Sequence, residues 1–266
     1  MKIFGISDLH LPSSRNKPMD VFGEHWAGYV SRIRENWLAK ISSEDLVLMP
    51  GDLSWATRWD DALDDIEFLR QLPGFKVLVK GNHDYWIHAE GRVKRALEVL
   101  DTPDSKIRLL HNDALVIGGI AIAGTRGWSK GLETPDADKK ILNRELMRLE
   151  SSLKNLENLD HDYVIAMTHF PVTAKVFGFV RKNRPLPENI EALTGSRPGI
   201  VAEELYDERF WEKIKSHSPT IHVFGHVHNK IFHNPMLIDG IRTYCLSADA
   251  IDFDPVEIEF KNRRQS

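Results

Sequence analysis

Residues 76–84 read Lys-Val-Leu-Val-Lys-Gly-Asn-His-Asp, a short apolar run that ends abruptly in a glycine and three polar side chains. A run of this length, rich in Val and Leu, reads as a buried strand. Four other segments have the same form. Lys2 to Ser7 stops at Asp8, Asp45 to Met49 at Gly51-Asp52, Tyr163 to Met167 at Thr168-His169, and Thr220 to Phe224 at Gly225-His226. Polar residues at every strand exit are not a packing pattern. In open α/β sheets, side chains from separate strands converge in the crevice beyond the strand carboxyl ends, where ligands gather.

Helical periodicity separates these strands. Phe22, Trp26, Val30, Ile33, Trp37 and Ile41 predict an amphipathic helix over Val21 to Ile41, and Leu63, Ile66 and Leu69 another over Asp60 to Leu72. In Asp138 to Leu159, leucines at 142, 146, 149, 153 and 156 share one face. That stripe lasts barely three heptads, so a core-facing helix fits better than a coiled coil. Arg242 to Ser247 and Val256 to Phe260 read as two more strands, and Ala114 to Ala123 is a further apolar run. The alternation predicts an α/β fold in which mixed sheets are covered by helices, formed as a single domain over residues 1–266. Val176 to Gly199 mixes Pro, Gly and Arg without periodicity and reads as a surface loop or lid with at most one helical turn.

Composition narrows the class. The chain has 266 residues, 35 Lys plus Arg against 39 Asp plus Glu, and a formal net charge of −4, with 42% hydrophobic residues. These values suit an ordinary globular protein. The single cysteine, Cys245, cannot form an intramolecular disulfide, and the N-terminal segment lacks a secretory pattern, so the expected setting is cytoplasmic. No apolar run reaches the roughly 18 residues of a membrane span. The slightly acidic charge and the lack of a basic stripe count against nucleic acid without counting against a small phosphorylated partner. Histidine is abundant, at 12 residues.

Five of those histidines fall in ordered motifs: Asp8-Leu9-His10, Gly81-Asn82-His83-Asp84, Thr168-His169 and Gly225-His226-Val227-His228, with Gly51-Asp52 completing the series. Alternate residues of an extended segment point the same way, so Asp8 with His10, and His226 with His228, can each direct two side chains into one site. Asn82 and His83 must diverge, leaving one as a ligand and the other facing substrate. The set of two carboxylates, four imidazoles and an amide exceeds one metal's needs and lacks the thiolates of structural zinc. It suits Mn, Fe or Zn. Two such ions about 3.5–4 Å apart would clamp the attacking and leaving oxygens of a phosphoryl displacement.

This series resembles that of the calcineurin-like metallophosphoesterase superfamily, whose motifs are D-x-H, G-D, G-N-H-D/E, a lone His and G-H-x-H, and the resemblance spans Asp8 to His228. It implies a four-layer αββα sandwich with a dinuclear centre at the strand C-terminal ends. By the same resemblance, Asp8, His10 and His228 hold one metal, Asn82, His169 and His226 the second, and Asp52 bridges. The implied reaction is in-line attack of a metal-bound hydroxide on a phosphate mono- or diester, with His83 assisting the leaving oxygen. The chain departs from the Ser/Thr protein phosphatases of the superfamily. They carry G-D-x-V-D-R-G where this sequence has Gly51-Asp52-Leu53-Ser54-Trp55-Ala56-Thr57, and their third motif ends in Glu rather than Asp84. Lipid A pathway hydrolases typically have Arg where His83 stands. The overall pattern is similar to that of small bacterial phosphohydrolases; a nuclease or cyclic-nucleotide phosphodiesterase, and a non-catalytic scaffold on the same fold, are the alternatives.

Outside the motifs, Arg126 in Gly124-Thr125-Arg126-Gly127-Trp128 is a candidate phosphate clamp, and Asn82 a candidate substrate contact. Trp55, Trp59, Trp86 and Trp128 lie near motif positions, where they could form an aromatic wall or simply be buried. Lys175, Arg181, Lys182, Arg184 and Arg197 make the 176–199 segment locally basic. His25, His88, His111, His161, His217 and His233 have no such context, and His222, within a strand, belongs to the core.

Overall fold

Alternate side chains of strand β2 (Leu46–Met49) face opposite ways, and all are apolar. Leu46 and Leu48 face a second sheet, whereas Val47 and Met49 face helices. The computed structural model describes residues 1–12, 19–88, 90–100, 102, 106–183, 194, 204–228 and 230–260. In the first sheet β1 (Ile3–Gly5), β2, β3 (Phe75–Leu78) and β4 (Ile107–Leu109) run parallel in that order, and β11 (Val256–Glu257) pairs antiparallel with β1. The second sheet has a parallel centre of β6 (Ile120–Thr125), β7 (Tyr163–Thr168), β8 (Ile221–Phe224) and β10 (Ile241–Cys245). Antiparallel β5 (Ala114–Ile117) and β9 (Met236–Ile238) flank it.

Ile3, Leu46, Leu48 and Val77 of one sheet pack against Ile122, Ile165, Met167 and Val223 of the other. On the outer face of the first sheet, α1 (Tyr29–Lys40), α2 (Leu63–Gln71) and α3 (Glu90–Leu100) bury Ile33, Trp37, Ile66, Leu69 and Ala96 with Val47 and Leu78. Over the second sheet, α4 (Pro135–Lys154), α5 (Lys175–Asn183) and α6 (Arg209–Ser216) bury Leu146, Leu149, Phe177 and Phe210 with Ala121, Ala123 and Ala166. The layers are therefore helix, sheet, sheet, helix, as the resemblance implies. Small Ala side chains on β6 and β7 let the long helix α4 approach closely, and its leucine stripe faces this core. No helix among the described residues is long and apolar enough to cross a membrane.

Two local expectations are corrected, and a third segment gains detail. The helix predicted over 21–41 begins only at Tyr29, because Gly23 (φ +136°) and Gly28 (φ +64°) break it into two 3-10 turns followed by α1. Trp26 thus sits on a turn rather than on a helical face. The apolar run 114–123 is a hairpin, with Gly118 and Gly119 both at positive φ turning β5 into β6. The start of the supposed loop at 176–199 is helical: α5 buries Val176, Phe177 and Val180 in the second core. Of the remainder, only Thr194 is among the described residues; Arg184 and Arg197 lie outside them.

His222, on β8, is fully buried, with Nε2 2.9 Å from Thr168 Oγ1. That hydroxyl donates to Phe170 O, so the imidazole N–H donates to the hydroxyl. Burial pushes the ring's pKa down to about 3. Above about pH 6.5 the ring is neutral in both folded and unfolded chains. Below that pH only the unfolded chain takes up the proton, so stability falls. Between pH 7 and 5 this should cost about 2 kcal/mol. Urea melts of His222→Leu should show a pH dependence flatter by that amount, and an unchanged slope would mean that the folded ring is charged.

Candidate metal centre

The parallel strands deliver the motif residues to one end of the sandwich, where the two sheets are joined by a Ser7–Ser247 bridge. The backbone there is unusual. Asp8, His10, Asp52 and His226 have φ of +52°, +45°, +52° and +67°, a region non-glycine residues seldom occupy. Two glycines permit the close approach of the loops. A Cβ on Gly81 would collide with Asp52 Oδ1, and one on Gly225 with Asp8 Oδ2.

Asp8 is completely buried. Its carboxylate accepts the His226 N–H at 3.0 Å, Ser7 Oγ at 2.5 Å and Ser247 Oγ at 3.1 Å. Burial raises its pKa to about 6 against the pull of the nearby His228 charge. Asp52 Oδ1 accepts the His83 N–H at 2.8 Å, while buried Oδ2 accepts no hydrogen bond among the described residues. That oxygen lies 3.9 Å from His10 Nε2 and 3.6 Å from His169 Nε2. Burial first, then the neighbouring Asp8 charge, holds the Asp52 carboxyl well above the usual range.

Three imidazoles have their tautomers fixed from behind. His169 Nδ1 is 2.9 Å from Pro50 O, His226 Nε2 is 2.8 Å from Thr194 O, and His228 Nδ1 is 2.8 Å from Asp249 Oδ1. Each partner is an acceptor, so the outward nitrogen carries a proton; burial lowers the pKa of His169 and His226, which are neutral and turn a lone pair inward, whereas against burial Asp249 and Asp8 raise that of His228 to about 9. His169 Nε2 then faces Asn82 Oδ1 at 2.6 Å, and His226 Nδ1 faces the same oxygen at 3.1 Å. His10 Nε2 and His228 Nε2 face each other at 3.3 Å. The lone pairs of His169 and His226 both point at Asn82 Oδ1, beside the unsatisfied Asp52 Oδ2, and this cluster is one that a cation would complete. Candidate donor atoms of Asp8, His10 and His228, and of Asp8, Asp52 and His169, all lie within 4.8 Å of one another in each group. The seven residues expected as ligands are thus brought together, with Asp52 between the two groups, and their chemistry fits metal ions.

His83 lines the adjoining cleft, its ring 4.6 Å from Trp55 and 6.1 Å from Tyr85. The cleft measures about 770 Å³ and is walled by Trp26, Trp55 and Phe253. Trp55 also stacks on His10 at 4.6 Å. The other three tryptophans expected near the motifs are buried: Trp59 packs on Trp86, and Trp128 donates to Asp138. Arg126 is neither a clamp in this cleft nor a solvated turn residue. Its Nη2 binds Glu145 Oε1 at 3.2 Å, its guanidinium lies 4.7 Å above the Trp128 ring, and it lines a separate small cavity.

The sequence reading missed two supporting carboxylates. Asp84 is buried and accepts the N–H groups of Gly81, Asp52, Leu53 and Ser54 and the Trp86 indole, at 2.8–3.3 Å, thereby clasping the second motif loop to the third. Asp249, which orients His228, follows the exit of β10, and extending the strand-exit pattern to Arg242–Ser247 would have pointed to it.

The fold is similar to that of a phosphopantetheinyl hydrolase from Mycobacterium tuberculosis, at 13% identity, with 100% of this chain and 98% of that chain covered and a TM-score of 0.57. A protein of unknown function from Aquifex aeolicus aligns at 16% identity over 96% of this chain and 95% of its own, with a TM-score of 0.46. Such identities speak to fold alone. No curated protein matches the chain. The model of the calcineurin-like phosphoesterase family matches residues 1–230, and with the αββα sandwich and the converging Asp, His and Asn donors now in place, the chain belongs to that family.

Proposed function

We propose that this chain is a dinuclear metal-dependent phosphohydrolase acting on small phosphate mono- or diesters. The observation that carries the reading is the buried convergence of Asp52 Oδ2, Asn82 Oδ1, His169 Nε2 and His226 Nδ1, all presenting lone pairs, beside the Asp8, His10 and His228 group. Two bound Mn, Fe or Zn ions would supply Lewis-acid charge at the phosphate oxygens. The first donor group, Asp8, His10 and His228, is assigned to one ion; Asn82, His169 and His226, which meet at Asn82 Oδ1, are assigned to the other, with Asp52 shared as the family resemblance implies.

The chain's own residues do the rest. Pro50 O and Thr194 O hold His169 and His226 in the tautomer that turns a lone pair inward, and Asp249 fixes the His228 ring from behind. His83 stands on the cleft wall, where it can give a proton to a departing oxygen. The aromatic wall of Trp26, Trp55 and Phe253 suits an apolar portion of a small ester, and the cleft volume falls in the range of small-molecule sites. The formal net charge of −4 disfavours nucleic acid as the substrate, and one buried free cysteine is compatible with a reducing, cytoplasmic setting.

Mn²⁺-loaded protein should carry two ions per chain by elemental analysis. Chelation should abolish hydrolysis of p-nitrophenyl phosphate or its bis-ester, and added Mn²⁺ should restore it. Loaded protein that cleaves neither ester, nor any of a broad panel of phosphorylated metabolites, would overturn the reading. His83→Ala should keep both ions but lose roughly 10²–10⁴-fold in kcat, the usual worth of a general acid; an unchanged rate removes His83 from the chemistry. Asp249→Asn should weaken Mn²⁺ binding by about 10–100-fold in titration calorimetry, and unaltered affinity would leave Asp249 without a role in positioning His228.

A further inference from the structure

The cavity lined by Arg126 lies apart from the metal cleft, between the exits of β3 and β6 and helix α4. Its walls bring together three cations, Lys80, Arg126 and Arg148, with a single carboxylate, Glu145. Glu145 is already engaged: Oε1 accepts Arg126 Nη2 at 3.2 Å and Arg148 Nη1 at 2.9 Å, and Oε2 accepts Thr125 Oγ1 at 2.9 Å. One negative charge therefore serves two guanidiniums. Among the described residues the Lys80 ammonium meets a ring nitrogen, His88 Nδ1 at 3.4 Å, and no carboxylate by hydrogen bond.

Arg126 supplies an independent sign that something is missing. Its side chain is 8% exposed, and its buried Nε donates no hydrogen bond among the described residues. A buried guanidinium N–H without an acceptor is costly, and a guanidinium fork matches the spacing of two oxyanion oxygens. The enclosed volume is about 40 Å³, on a measure by which one water needs roughly 10–15 Å³. That is room for a few waters or for one tetrahedral oxyanion.

We propose that this cavity is a second anion site, which binds a free inorganic oxyanion such as phosphate through Lys80, Arg126 and Arg148, independently of the metal centre. The cation excess selects an anion, the small volume selects an inorganic ion over an ester, and the cavity shares no lining residue with the metal cleft among the described residues.

Equilibrium dialysis of the full chain with labelled inorganic phosphate tests this. Mn²⁺-loaded protein should bind two phosphates, and chelation should leave one. Because Arg126 is part of the core, Lys80→Met and Arg148→Met at the rim are the variants to use. Each should weaken the chelation-resistant binding at least about tenfold, the scale of one lost charge-assisted hydrogen bond. The proposal is overturned if no phosphate remains after chelation, or if its retention is indifferent to both substitutions. Equal displacement by glycerol 3-phosphate would overturn the inorganic assignment. Because the readout is chelation-resistant binding, it stands or falls separately from phosphohydrolase activity.

Discussion

Asp8 and Asp52 are carboxylates placed together out of water; burial raises the cost of ionising both, and the Asp8 charge raises it further at Asp52. Much of the surrounding structure can be understood as the means of holding them there. Backbone N–H groups of His83 and His226, and the hydroxyls of Ser7 and Ser247, are aimed at their oxygens. The oxygen left over, Asp52 Oδ2, is the one that faces the imidazoles. Parallel strands are what make this possible, because they bring every exit to the same end, and the branched apolar core between the sheets sets how near β1 can come to β8 and β10.

The supports are interlocked rather than independent. Asp84 spans the loops after β2 and β3, so the position of Asp52 depends on a side chain from the neighbouring strand's exit. Gly225 and Gly81 carry no side chain because the carboxylates occupy that space. Asp249 reaches His228 from beyond β10. A metal site built this way tolerates little local adjustment, since moving one loop shifts donors belonging to two others.

The strand exits were legible because each ligand lies within a few residues of an apolar run whose end is abrupt. Contacts made at long sequence separation were not. Arg126 is followed by glycine and tryptophan, which says nothing of Glu145, nineteen positions on and about three turns into α4. Asp84 was visible as the last letter of a motif, but its acceptor role depends on a loop about thirty residues earlier. Helix α5 was hidden by averaging: Val176, Phe177 and Val180 have helical spacing, yet the Pro- and Arg-rich residues after them dominate the window. Gly23 and Gly28 failed as stop signals because the apolar spacing runs straight across them.

The left-handed backbone at Asp8, His10, Asp52 and His226 bears on inheritance. Such conformations cost on the order of 1–3 kcal/mol each in non-glycine residues. A copy of the gene freed of any need for this site would gain backbone stability by drifting to glycine or asparagine at these four positions. Decay of the site would therefore proceed downhill. The same backbone makes the centre hard to transplant, because grafting its side chains onto regular strand ends would not reproduce the directions in which they point.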